Sequence, residues 1–154
     1  MPCHWQVRRS APLNRGKVKA MDQIAIKIGG ILSVLLGIGH CFFYRGFGWE
    51  KDFKQTHILT AKVLYTIHVF LIPMFLFFGY VSLFHTKELA GGSQLGFSMT
   101  VFYSVFWFSR AIWQIFYFKP SQTASVKKLL PLHYFLIVYF ILLWAAYTAP
   151  VLFR

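Results

Sequence analysis

The sequence predicts an all-α integral membrane protein with four transmembrane helices in an up-down-up-down bundle. Three observations carry this prediction. Hydrophobic residues make up 57% of the 154-residue chain and charged residues only 13%, against roughly 25% charge in a soluble domain. The apolar residues gather in long runs, each reaching the roughly 20 residues needed to cross a hydrocarbon core. The connections are too short to let sequential helices lie anything but antiparallel and adjacent. A barrel would need at least eight alternating segments of ~10 residues, and the chain has none of that pattern.

The first expected span is Ile24 to Tyr44, the second about Ile58 to Phe84, the third about Leu95 to Phe118, and the fourth Leu129 to Phe153. Three connections separate them: Arg45 to His57, with Gly46 and Gly48; His85 to Gln94, with Gly91-Gly92-Ser93; and Lys119 to Lys128, with Pro120-Ser121. Glycine, proline and serine punctuate helices in this way because they favour turn geometry over helix. Pro73, midway along the second span, removes the bond to the Val69 carbonyl and is expected to kink it. Pro131 falls near the start of the fourth span, where its missing N–H costs little. Pro150 is expected to loosen or end that span.

Residues 1–23 are polar, with Arg8, Arg9, Arg15, Lys17 and Lys19 against Asp22, and are expected to form a basic disordered tail. Met21 is an alternative start that would take most of this tail away. Orientation turns on that choice. With the tail, the positive-inside rule places both termini in the cytoplasm; from Met21 onward, Arg45, Lys51, Lys54, Lys119, Lys127 and Lys128 reverse the bias.

The net charge of +12 would point to nucleic acid in a soluble chain. Here the cations flank apolar runs, where attraction to anionic lipid explains them, and no stacking-aromatic pattern accompanies them. The expected partner is therefore the bilayer, with no nucleic acid. The expected location is a membrane, crossed several times: the cell membrane if the chain is bacterial. Two cysteines in a chain of this size make no disulfide framework.

Polar residues within the spans are the candidate functional residues. On a helical wheel Arg110 shares a stripe with Tyr103 and Gln114, opposite an apolar face of Val101, Val105, Phe108, Ile112 and Ile115. His40 falls beside Gly29, Ser33 and Gly37, small residues that let backbones approach closely. Counting from the span ends at 1.5 Å per residue puts His40, His68, Arg110, Gln114 and His133 roughly 6 to 15 Å below one surface. Together with Tyr103 they form the expected polar cluster, drawn from all four helices.

Arg110 is the sharpest signal. A charge near the centre of a span costs about 2.5–3.5 kcal/mol even on the lenient insertion scale. The four acids are Asp22, Glu50, Asp52 and Glu88, and none lies inside an expected span. Arg110 therefore calls for an anionic or carbonyl-bearing ligand, or for snorkelling past Gln114.

Three functions suit such a cluster. One is a site for a small ligand or partner without chemistry. A second is membrane redox work with haem b or a quinone, where His68 with His133, or His40 with either, would be the axial pair. A third is transport or proton relay through His40, His68 and His133, which four helices could house only as a homo-oligomer. No metal-spaced Cys/His run, CxxCH, HExxH or phosphate-binding glycine loop is present, so no metal site is expected outside the haem reading, and no catalytic residue is assigned.

Overall fold

The structure is a computed structural model that describes residues 13–118 and 130–152. Every element in those residues is helical. Helix α1 is Leu13–Gly46, α2 Trp49–Gln55, α3 Ile58–Phe84, α4 Gln94–Phe116 and α5 Leu130–Leu152, with a wide helical turn at Glu88–Gly92 between α3 and α4. Three segments are long and apolar enough to cross a membrane: Lys19–Gly46, Ile58–Phe84 and Leu130–Leu152. Helix α4 has 23 residues, as α5 does, but Gln94, Arg110 and Gln114 make it more polar.

The helix ends differ from expectation in two places. Residues 13–23 are not a disordered tail: α1 begins at Leu13 and runs for 34 residues. Once a helix is nucleated, each added residue needs no new nucleus, and Lys17, Lys19, Ala20, Met21 and Gln23 are good helix formers. At about 51 Å, α1 is longer than a hydrocarbon core is thick. The first connection is not a plain loop either. Gly48, at φ 68°, turns the chain into the short helix α2, a left-handed geometry that glycine adopts without a Cβ clash.

Helix α3 opens on His57, whose Nδ1 accepts from the Leu59 N–H at 3.3 Å, and it continues unbroken through Pro73. Ser93 caps α4 by accepting from the Gly96 N–H at 3.0 Å, the arrangement serine favours at a helix start. Thr100 Oγ1 donates to the Leu89 carbonyl at 3.1 Å, pinning the 88–92 turn onto α4. Residues 1–12 of the expected tail, the connection 119–129 and the last residues of the expected fourth span lie outside the described residues.

Packing follows side-chain size. Helix α1 packs closely against α3 and α5, and α4 against α5, whereas the backbones of α3 and α4 stay farther apart. On α1, small residues face both neighbours. A Cβ on Gly30 would lie 2.9 Å from Ser82 Cβ, and one on Gly29 2.8 Å from the Tyr147 ring. Across the α1/α3 seam a Cβ on Gly79 would meet the Gly30 carbonyl at 2.9 Å and collide with Val34. The α3/α4 gap is filled instead by aromatic rings: Phe75 stacks on Trp107 at 5.6 Å, and Phe78 lies 4.6 Å from Tyr103 and edge-on to Phe106 at 5.3 Å.

The outward faces are apolar. On α1, Ile24, Ile28, Ile31, Leu35, Ile38 and Phe42 are exposed at alternating steps of four and three residues; on α4, Val105, Phe108, Ile112 and Ile115 are exposed. Such surfaces are too extensive for water and suit acyl chains. Replacing Gly79 with Leu should therefore wedge α1 from α3 and destabilise the protein by about 1–3 kcal/mol. Thermal unfolding in detergent should show a lowered Tm, with Gly39→Leu, where only Phe43 lies within reach at 4.0 Å, as the control near wild type.

Candidate functional site

The polar residues inside the helices do not meet as one hydrogen-bonded cluster. They form two pairs joined by aromatic rings, a row of donors on α4, and a separate hydroxyl group nearer the chain's N-terminal end.

The first pair is His40 on α1 and His68 on α3. His68 is buried, 6% exposed, and its Nε2 lies 2.9 Å from the His40 carbonyl, which accepts its proton. His40 Nδ1 donates in turn to the Leu36 carbonyl at 2.8 Å. The imidazoles stack with centroids 5.4 Å apart and planes 21° from parallel. Phe75 meets His40 edge-on at 4.9 Å and Trp49 meets His68 edge-on at 4.8 Å. Trp49 thus meets the pair from α2.

The second pair joins α4 to α5. Gln114, 3% exposed, places its amide nitrogen 3.0 Å from His133 Nδ1. The amide donates, so that the ring proton sits on Nε2. One turn before Gln114, the Arg110 guanidinium lies 4.5 Å from the centre of the Phe140 ring. Phe140 stacks on Trp107 at 6.0 Å, and Trp107 on Phe75. An aromatic ladder therefore runs from the His40 neighbourhood on α3 to Arg110 on α4 and Phe140 on α5. Arg110 and His68 both lie within electrostatic reach of His40.

Helix α4 carries the most unusual feature. Tyr103 and Trp107 are fully buried, at 0% exposure. The Tyr103 hydroxyl, the Trp107 Nε1 and the Arg110 Nη1 are all buried without a hydrogen-bond partner among the described residues. Spacings of four and three residues put these groups on one helix face. A buried donor without an acceptor forfeits about 1–3 kcal/mol, more when charged. The Phe140 contact offsets part of this for Arg110, since a cation–π contact is worth about 0.5–2 kcal/mol.

The hydroxyl group was not singled out as a site in the sequence. Tyr147 on α5, 0% exposed, places its hydroxyl 2.7 Å from Ser82 Oγ on α3 and 3.5 Å from Ser33 Oγ on α1. Ser33 donates to the Gly29 carbonyl at 2.8 Å. Tyr103 meets Tyr147 edge-on at 5.1 Å, so it belongs beside this group and not beside the histidines. The available signal was the juxtaposition of Gly29 with Ser33 and Gly79 with Ser82: small residues one turn apart mark where helices touch, and a hydroxyl beside them faces the neighbour. Elsewhere Ser104 and Thr148 pair at 2.6 Å, and the Tyr139 hydroxyl donates to the Leu32 carbonyl at 2.6 Å.

The His40–His68 pair does not suit haem: the two rings stack 5.4 Å apart with no room for a porphyrin between them, and His68 Nε2 donates to the His40 carbonyl. His133 Nδ1 is held by Gln114, and His68 and His133 belong to different pairs. No group of three or more metal-binding side chains occurs among the described residues. Comparison of the chain with protein-family models, with curated proteins and with solved structures finds no match.

The Tyr147 group yields a prediction. Tyr147→Phe removes the shared partner of Ser82 and should lower stability by about 0.6–1.7 kcal/mol, the range for interhelical hydrogen bonds in membranes. Adding Ser82→Ala should recover part of that loss, because no buried hydroxyl is then left unmatched. Thermal melts of the single and double variants in one detergent check this.

Proposed function

We propose that the chain is a four-span membrane protein that binds a small, membrane-soluble molecule bearing acceptor oxygens, a carboxylate or a quinone carbonyl, against the buried face of α4. The observation that carries this reading is the row of three donors, Tyr103, Trp107 and Arg110, without an acceptor among them. Three donors in line, one of them cationic, are complementary to an oxygen-rich group and to no apolar filler. The Phe75–Trp107–Phe140 ladder supplies flat apolar walls beside the donors, as small-molecule sites usually do.

In this reading α4 completes an up-down-up-down bundle. Its exposed face is largely apolar and Thr100, Tyr103, Trp107 and Gln114 are buried, and residue pairs such as Ser104 with Thr148 and Gln114 with His133 support an antiparallel run against α5. His40, His68, Gln114 and His133 flank the site and hold the helices that form it. The chain's part is to bind and orient the ligand's oxygen. Relay through the histidines has less support, because His68 Nε2 and His40 Nδ1 end on backbone carbonyls of α1 and do not lead toward His133.

Two measurements test this. Reporters inserted in the Glu88–Gly92 turn and in segment 119–129 should be accessible from opposite sides of the membrane; accessibility from the same side would remove α4 as a span. Native mass spectrometry of the purified protein should find a retained small molecule carrying a carboxylate or quinone. Arg110→Leu should weaken its binding by about 10- to 100-fold, the loss of a charge-assisted hydrogen bond worth about 1.5–3 kcal/mol. Ile112→Leu, on the outward face, should retain it. Equal binding by both variants would overturn the site.

A further inference from the structure

The structure holds a second candidate site, well apart from the α4 donor row. A groove of about 430 Å³ opens where the end of α1, helix α2 and the start of α3 meet, lined among others by Tyr44, Lys54, Thr56, Lys62 and Tyr65. Its lining includes two lysines and no acid. The Lys62 side chain is exposed and its ammonium has no hydrogen-bond or ion-pair partner among the described residues, while its carbonyl accepts from the Thr66 hydroxyl at 2.8 Å. Lys62 lies four residues into α3, about 6 Å along the helix from Ile58, near the start of a segment long and apolar enough to cross a membrane. Lys54 is paired with Glu50 at 3.1 Å, but both side chains are largely exposed, at 73% and 70%. An exposed pair of this kind is worth about 0–1 kcal/mol and yields readily to a stronger anion.

The surroundings have the shape of a lipid. Tyr44 and Tyr65 meet edge-on at 5.5 Å, and neither hydroxyl bonds to a described protein group. Beyond the lysines, the same face of α3 continues with Val69 and Leu76, both exposed and apolar. A ligand here would find ammonium and phenol donors at one end and a greasy helix surface at the other. A groove of the same volume at the far end of α1 and α3 carries Lys27 and Lys87, but it also includes Glu88 in its lining, so its charge is partly balanced within the protein.

We propose that the Lys54/Lys62 groove binds an anionic phospholipid, with the phosphate between the two ammonium groups and the tyrosine hydroxyls and an acyl chain along α3. A free phosphate shares the headgroup chemistry but leaves the apolar surface uncovered, which is why the lipid is the occupant we commit to.

The test is native mass spectrometry of the full-length protein from mixed micelles containing equal phosphatidylglycerol and phosphatidylcholine. Phosphatidylglycerol adducts should predominate by about fivefold or more, the discrimination expected of one surface cation near an anionic headgroup. Lys62→Met should bring the two lipids close to parity, Lys62→Arg should keep the preference, and Lys27→Met at the far groove should leave it unchanged. Equal uptake by the wild type, or a preference that survives Lys62→Met together with Lys54→Met, would overturn the proposal. So would displacement of phosphatidylglycerol by millimolar inorganic phosphate, because a phosphate-only site gains nothing from the acyl chain. None of these results depends on Arg110, so this site and the α4 site stand or fall separately.

Discussion

The close approach of α1 to its neighbours governs the rest of the structure. In lipid, exposed and buried leucines see nearly the same surroundings, so apolar burial does little to hold helices together; dispersion and hydrogen bonds between them must suffice. Both need short distances. Glycines 29, 30 and 79 remove the side chains that would keep backbones apart. Once they are close, the Tyr147 hydroxyl reaches serines on α1 and α3, and Tyr139 reaches a carbonyl of α1. The His68-to-His40 bond uses the same seam farther along. Small residues and hydroxyls thus act together: the first bring the helices within range, and the second convert range into direction.

Between α3 and α4 the opposite solution holds. Phe75, Phe78, Phe106 and Trp107 fill the space, and the backbones remain apart. Rings of this size contribute large dispersion contacts and prefer tilted or offset arrangements, which the gap accommodates. They also bring polar edges that must face somewhere. Among the described residues, the Trp107 N–H and the Tyr103 hydroxyl find no carbonyl or hydroxyl within hydrogen-bonding distance. The donor row is a consequence of using aromatics where the rest of the fold uses glycine.

Arg110 stands at the junction of these two regimes. Its charge has a ring for company and no carboxylate: Asp22 lies in the first third of α1, Glu50 and Asp52 in α2, and Glu88 in the 88–92 turn. A cation over an aromatic face is stabilised, but less than a cation in water, so the guanidinium keeps a strong affinity for any oxygen that enters. The Lys54/Lys62 groove shows the same imbalance at the membrane surface. With 16 basic and 4 acidic residues, this chain holds far more cations than its own carboxylates can pair.

Much of the architecture could be read from residue order because the solvent for an apolar run is set by length and hydropathy alone. The stretches at 24–44, 58–84 and 129–153 announce themselves locally, and the outward face of α4 followed from helical periodicity. The small-residue seam beside His40 was also visible, as glycine and serine spacing needs no partner to be seen. Pairing was not visible. Depth and wheel angle put His40, His68, Arg110, Gln114, His133 and Tyr103 into one group, but a wheel does not tell which neighbour a stripe faces. His40 turned to α3, His133 to α4, and Tyr103 toward Tyr147. The helical continuation to Leu13 and the short helix α2 are not legible in the sequence, because polar composition reads as loop when an adjoining helix is left out of account. Hydrophobicity is a property of each segment and survives in the letters; hydrogen-bond partnership arises only between segments, where a few ångströms of approach decide which donor finds an acceptor and which does not.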